Sequence, residues 1–103
     1  MSAEHFGITP KTFDFLMKTF GDFNQIDEVI IFGSRAMGNF KKGSDIDLAM
    51  KGNIDLDTIA RLKTKLNDEL PIPYLIDIVD YHSISNPALK EHIDKEGKKL
   101  FTA

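Results

Sequence analysis

The chain has 103 residues, with 13 basic and 16 acidic side chains, a formal net charge of -3, no cysteine, and 42% hydrophobic against 28% charged residues. Those values fit one packed domain over residues 1–103 and speak against disorder; the acidic balance disfavours long nucleic acid as a ligand, and the missing cysteines exclude disulfides and thiolate metal sites. Met1 to Phe6 lacks the basic start and apolar run of a secretion signal and no stretch approaches a membrane span, so the expectation is a soluble, cytoplasmic protein without membrane contact.

Thr9-Pro10 opens a predicted helix, since Thr caps free amides and Pro suits the first helical position; Phe13, Leu16, Met17 and Phe20 follow at helical spacing before Gly21. Val29-Ile30-Ile31-Phe32 is a β-branched apolar run closed by Gly33, which predicts a buried strand. Asp45 to Met50 alternates polar and apolar over its first four positions and predicts a second strand. From Asp55, a plausible cap, Leu56, Ile59, Leu62, Leu66 and Leu70 form the stripe of a second long helix that stops before Pro71. Tyr74 to Val79 predicts a third strand with one interior charge, Asp77, and Asn86-Pro87 opens a last helix ending near Gly97. Lys98 to Phe101 adds a short terminal strand. This order implies an α/β (α+β) fold, a small mixed sheet with helices mainly on one face, leaving the other face or the strand ends open for chemistry.

The chemistry concentrates in three acids. Strand residues two apart point the same way, roughly 6 to 7 Å apart at the backbone, so Asp45 and Asp47 project together. Two carboxylates on one face repel each other unless solvated, protonated or bridged by a hard cation. If the third strand is a neighbour, Asp77 completes a site for two divalent ions about 3.5 to 4 Å apart, a spacing suited to phosphoryl or nucleotidyl transfer. The plain readings are a turn residue beside Gly43-Ser44 for Asp45, a solvated outward position for Asp47, and a strand-end acid for Asp80. Asp77 has the weaker plain reading, because an acid inside an apolar run needs a reason.

Gly33-Ser34-Arg35-Ala36 follows the first strand. There glycine permits a tight turn and close ligand approach, and free amides with the Ser34 hydroxyl would face an anion. Arg35 reads equally well as a phosphate contact or as a surface cation or partner to a local acid, and Lys41 and Lys42 read as solvated loop cations. A Walker loop fails because Ser44 stands where its lysine belongs, and a calcium loop from Asp45 fails because Met50 and Leu56 occupy its glycine and glutamate positions. His5, His82 and His92 are scattered and read as ordinary surface or cap residues.

Together, Gly33-Ser34-Arg35-Ala36-Met37-Gly38, Ser44-Asp45-Ile46-Asp47-Leu48 and Ile76-Asp77-Ile78-Val79 resemble the DNA polymerase beta-like nucleotidyltransferase superfamily. Within it the chain is similar to the minimal nucleotidyltransferases (MNT), often paired with an HEPN-domain protein in toxin-antitoxin systems. The resemblance implies a polymerase beta palm-like fold and a metal-dependent transfer of AMP from ATP. It implies that Asp45, Asp47 and Asp77 are catalytic and bind two Mg2+ ions, with Asp77 helping to deprotonate or orient the attacking hydroxyl. Gly33, Ser34, Arg35 and Ser44 are the implied nucleotide-binding residues. Small members often carry Arg where this chain has Met37, which removes one phosphate contact. Larger relatives hold the acceptor with extra domains, so the acceptor here is expected on an HEPN partner or on a second copy in a homodimer. The competing expectation is a catalytically silent module that neutralises its partner toxin by complex formation.

Overall fold

A computed structural model describes residues 6–103. Helix α1 spans Pro10–Gly21, β1 Ile26–Phe32, α2 Ser34–Met37, β2 Ile46–Gly52, α3 Leu56–Thr64, β3 Ile76–Asp80, α4 Pro87–Glu96 and β4 Lys98–Thr102. A π-helical turn, Lys65–Glu69, prolongs α3, and a short 3-10 turn, Tyr81–Ser83, follows β3. Among the described residues no helix is long and apolar enough to cross a membrane.

The caps act where the sequence places them. The Thr12 amide donates to Thr9 Oγ1 at 3.4 Å, the Thr58 amide to Asp55 Oδ1 at 2.7 Å, and the Ala88 amide to Asn86 Oδ1 at 2.9 Å. Each satisfies a first-turn donor that the helix itself leaves free. One expectation is corrected in α3: Leu56 does not join the buried stripe but is 88% exposed, because it is the first helical residue and packing begins with Thr58 and Leu62.

The sheet order is β3-β2-β1-β4; β1 runs antiparallel to both β2 and β4, while β2 and β3 are parallel. A parallel pair needs a long crossover, which α3 supplies. Alternation then divides the sheet. Val29, Ile31, Ile46, Leu48, Met50, Ile76 and Ile78 pack with Leu16 and Phe20 of α1 and Leu62 of α3 in the main core. Burial of each such aliphatic side chain stabilises by about 1.5 to 3 kcal/mol relative to exposure. The opposite face carries a smaller cluster, Phe32 and Ala49 under Ile93 of α4. Helices therefore lie mainly on one face, as expected, and α4 covers only part of the other, where Asp47 and Asp77 emerge.

Gly97 lets α4 sit close to β1. A Cβ at Gly97 would collide with the Ile93 carbonyl oxygen and stand 2.6 Å from Cγ2 of Ile30.

Candidate nucleotidyl-transfer site

The register of β2 against β3 decides the acidic site. Asp47 and Asp77 are direct partners across the parallel pair, so their side chains leave the same face from adjacent strands. Asp45 stands just before β2, two residues from Asp47 and near enough for its charge to act on that carboxyl. Asp77 needs no buried partner. β3 is the outer strand, Ile76 and Ile78 turn into the core, and Asp77 turns the other way and is exposed.

Asp47 is the half-buried member, and its carboxyl is held above the ordinary carboxylate value, first by burial and then by repulsion from Asp77 and Asp45. A raised folded-state value means that the native chain holds this proton more tightly than the unfolded chain, so ionising Asp47 works against folding. That penalty is absent below the ordinary value of 3.8, grows as pH rises through the folded-state value, and is complete above it. Without metal, Asp47→Asn is thus expected to raise Tm at neutral pH and to give no gain in acid below the unfolded value. Thermal denaturation followed by circular dichroism at the two pH values checks this, and an equal gain at both would count against it.

Gly33 ends β1 and opens α2 with φ 75° and ψ -154°, a combination essentially restricted to glycine. It also packs against Asp47: a Cβ at Gly33 would stand 2.5 Å from Asp47 Oδ2. The turn and the acid therefore share one crowded spot. The Gly33 amide is not a free phosphate donor, since it donates to His92 Nε2 at 3.0 Å. His92, on α4, also meets the Phe32 ring edge-on, with centroids 6.1 Å apart, and its charged form would favour ionisation of Asp47. The reading of His92 as an ordinary surface residue is corrected here. The sequence offered no signal for it, because residues 33 and 92 meet only when α4 folds back across β1. His82 is exposed, and its amide donates to Asp80, whose carboxylate caps the 3-10 turn as a strand-end acid. His5 lies outside the described residues.

Arg35 sits differently from a phosphate ligand. Only 2% exposed, it donates from Nε and Nη2 to the Ser44 carbonyl at 3.1 and 2.7 Å and from Nη1 to the Phe6 carbonyl at 2.7 Å. Phe40 and Tyr74 lie against its guanidinium at 4.9 and 4.7 Å from their ring centroids. Burial lowers its pKa, and the charges of Tyr74, Asp45 and Asp47 oppose that shift. Its hydrogen bonds hold the loop before Asp45 rather than reach outward. Ser44 belongs to the same loop: its hydroxyl accepts from the Lys41 amide at 2.9 Å and its own amide donates to the Lys41 carbonyl at 3.0 Å. Lys41 and Lys42 are exposed, as expected, and Met37 at the end of α2 is 52% exposed. Asn67 went unnoticed in the sequence. From the π-helical turn its side chain pairs with both the amide and the carbonyl of Ile76, each at 2.9 Å, fixing the strand immediately before Asp77.

A family profile described as Polymerase beta, Nucleotidyltransferase matches residues 15–103, a span that holds the Gly33 turn and all three acids. The chain belongs to this nucleotidyltransferase family. MJ0604 of Methanocaldococcus jannaschii, provisionally named a protein adenylyltransferase, is 43% identical over 42 residues, covering 41% of this chain and 42% of that protein. MntA of Haemophilus influenzae, named a probable protein adenylyltransferase, is 40% identical over 55 residues, 52% of this chain and 48% of MntA. The matches thus span less than half the length of these curated relatives. Among solved structures, a toxin-antitoxin complex with AMP-PNP is similar with a TM-score of 0.71 at 26% identity, over 88% of this chain and 73% of that one. A complex of a tri-AMPylated Shewanella oneidensis HEPN toxin with its MNT antitoxin gives a TM-score of 0.66 at 23% identity, over 90% and 71% of the two chains, a likeness of fold.

Among the described residues no three His, Asp or Glu side chains form a ready-made cage for a metal ion. The three candidate acids form instead an open acidic ledge: exposed Asp45 and Asp77 flank half-buried Asp47.

Proposed function

We propose that this nucleotidyltransferase transfers AMP from ATP to a hydroxyl side chain of a partner protein, an HEPN-domain toxin in the cytoplasm, and so acts as its antitoxin. The observation that carries this reading is the pairing of Asp47 with Asp77 on one face, beside the Gly33 turn and with Asp45 two residues away. The names of the two curated relatives and the AMP-PNP complex of a similar fold support it.

The donor set fits a hard divalent cation. All three groups are carboxylates; burial first and then repulsion from Asp77 and Asp45 raise the Asp47 pKa, and that repulsion is what a cation between them would relieve. Asp45, Asp47 and Asp77 would hold magnesium, two ions in this reading, which when bound supplies neutralisation of charge on the α-phosphate and the leaving pyrophosphate. The chain's own groups do the rest. Ser34 heads α2, and its hydroxyl would supply a phosphate contact. Asp77, exposed on the outer strand, is open to an acceptor arriving from outside and accepts or orients the proton of the attacking hydroxyl as its oxygen bonds to the α-phosphorus. Arg35 and Ser44 serve nucleotide binding indirectly, by holding the loop that delivers Asp45.

Incubation with labelled ATP, magnesium and the protein encoded beside it, against an Asp45→Asn, Asp47→Asn double variant, tests the proposal. Label transfer by the wild type alone supports it. A tight complex without transfer would favour the masking module, the reading helped by the uncharged, exposed Met37. Magnesium is also expected to raise the Tm of the wild type and leave the double variant unmoved, because only a native state with a site is stabilised by its ligand. An unmoved wild type would count against metal binding.

A further inference from the structure

We propose that His92 is a positioning residue for nucleotide binding: from α4 it fixes the Phe32–Gly33 peptide plane and thereby the Ser34 turn. The proposal rests on the nucleotidyl-transfer reading of this site. Gly33 is the residue least able to hold its own conformation, since glycine visits many backbone states and here adopts one at φ 75° and ψ -154°. Something outside the turn must select that state. The Gly33 carbonyl accepts from the Met37 amide at 3.1 Å, which ties one side of the residue into α2. Its amide points the other way and donates to His92 Nε2 at 3.0 Å.

Acceptance at Nε2 requires that nitrogen to be unprotonated, which puts the single ring proton of neutral imidazole on Nδ1. The ring is itself held, because its neighbour Ile93 is buried against Phe32 and Ala49, and the ring meets the Phe32 edge. Packing on one face of the sheet is thereby converted into the orientation of one peptide. That orientation keeps the Gly33 Cα facing Asp47, where a Cβ would collide with the carboxylate. One imidazole therefore sets the spacing between the phosphate turn and the acids.

Two variants separate this role from mere packing. His92→Phe keeps an aromatic edge against Phe32 without an acceptor, and His92→Gln supplies an acceptor oxygen without the ring. His92→Phe is expected to raise KM for ATP, and the dissociation constant of AMP-PNP with magnesium, roughly three- to tenfold with a smaller change in kcat, the scale of one hydrogen bond. His92→Gln is expected to recover most of that loss. In the 15N-labelled wild type, a scalar coupling through the hydrogen bond between the Gly33 amide nitrogen and His92 Nε2 is expected, with Nδ1 carrying the proton. Absence of the coupling, or a proton on Nε2, overturns the proposal even if His92→Phe does not fold. So does equal KM in wild type, His92→Phe and His92→Gln. A wild type that transfers label while His92→Phe matches it overturns only the role of His92. A wild type that binds no AMP-PNP overturns the nucleotidyl-transfer reading together with it.

Discussion

Asp47→Asn is expected to lower transfer from ATP by about a thousandfold or more, the scale of several kcal/mol of charge stabilisation lost from a phosphoryl-transfer site. Asn has nearly the same shape as Asp, so the fit beneath Gly33 survives while the charge goes. The variant should fold at least as well as the wild type, since the ionised Asp47 is disfavoured by burial and by its two acidic neighbours. Loss of activity with a maintained or raised Tm at neutral pH therefore separates chemistry from stability. Asp80→Asn is the matched control: Asp80 ends β3, points to the other side and caps its own 3-10 turn, so its removal should leave turnover near the wild-type rate. Turnover with labelled ATP and the purified partner checks both. An Asp47→Asn protein that keeps a tenth of the wild-type rate would remove this acid from the mechanism.

Gly33→Ala should damage stability and function together. The backbone at φ 75° and ψ -154° lies where residues with a Cβ are strained by about 1 to 3 kcal/mol. For a domain of this size that corresponds to a drop in Tm of roughly 5 to 20 °C. The chain can relax only by moving the Phe32–Gly33 peptide, which breaks the hydrogen bond to His92, or by pushing Asp47 away from the turn. Either movement separates the Gly33-Ser34 turn from the acids, so transfer should fall further than the loss of folded protein explains. The comparison is glycine against alanine at Gly38, where a Cβ would meet nothing within 4 Å although φ is 83°. Gly38→Ala should lose stability from backbone strain while keeping activity per folded molecule. Similar specific activities for the two variants would show that crowding against Asp47 has no functional weight.

Local physics made much of this chain readable. Thr9-Pro10, Asp55 and Asn86-Pro87 announce helix starts because a side-chain oxygen can reach an amide two or three residues away. β1 and β3 are visible as β-branched runs, and the twofold period alone puts Asp45 and Asp47 on one side. Arg35 shows where such reading stops. In sequence it stands in the Gly33-Ser34 turn and reads equally well as a cation for a phosphate, as a surface cation or as a partner to a local acid. In the fold its three hydrogen bonds go to Ser44 and Phe6, residues 9 and 29 positions away, and two aromatic rings close over it. Leu56 failed for a similar reason: a helical stripe does not reveal at which turn the helix meets the sheet.

The sequence by itself determined the four strands and three longer helices, their caps, the candidate acids and the glycine turn, because each depends on residues a few positions apart. Only the tertiary structure decided that β3 lies beside β2 in the register that pairs Asp47 with Asp77, that Asn67 anchors Ile76, and that His92 takes the Gly33 amide. Those contacts join groups 9 to 59 residues apart. They are set by which apolar faces bury together, and no local spacing encodes that choice.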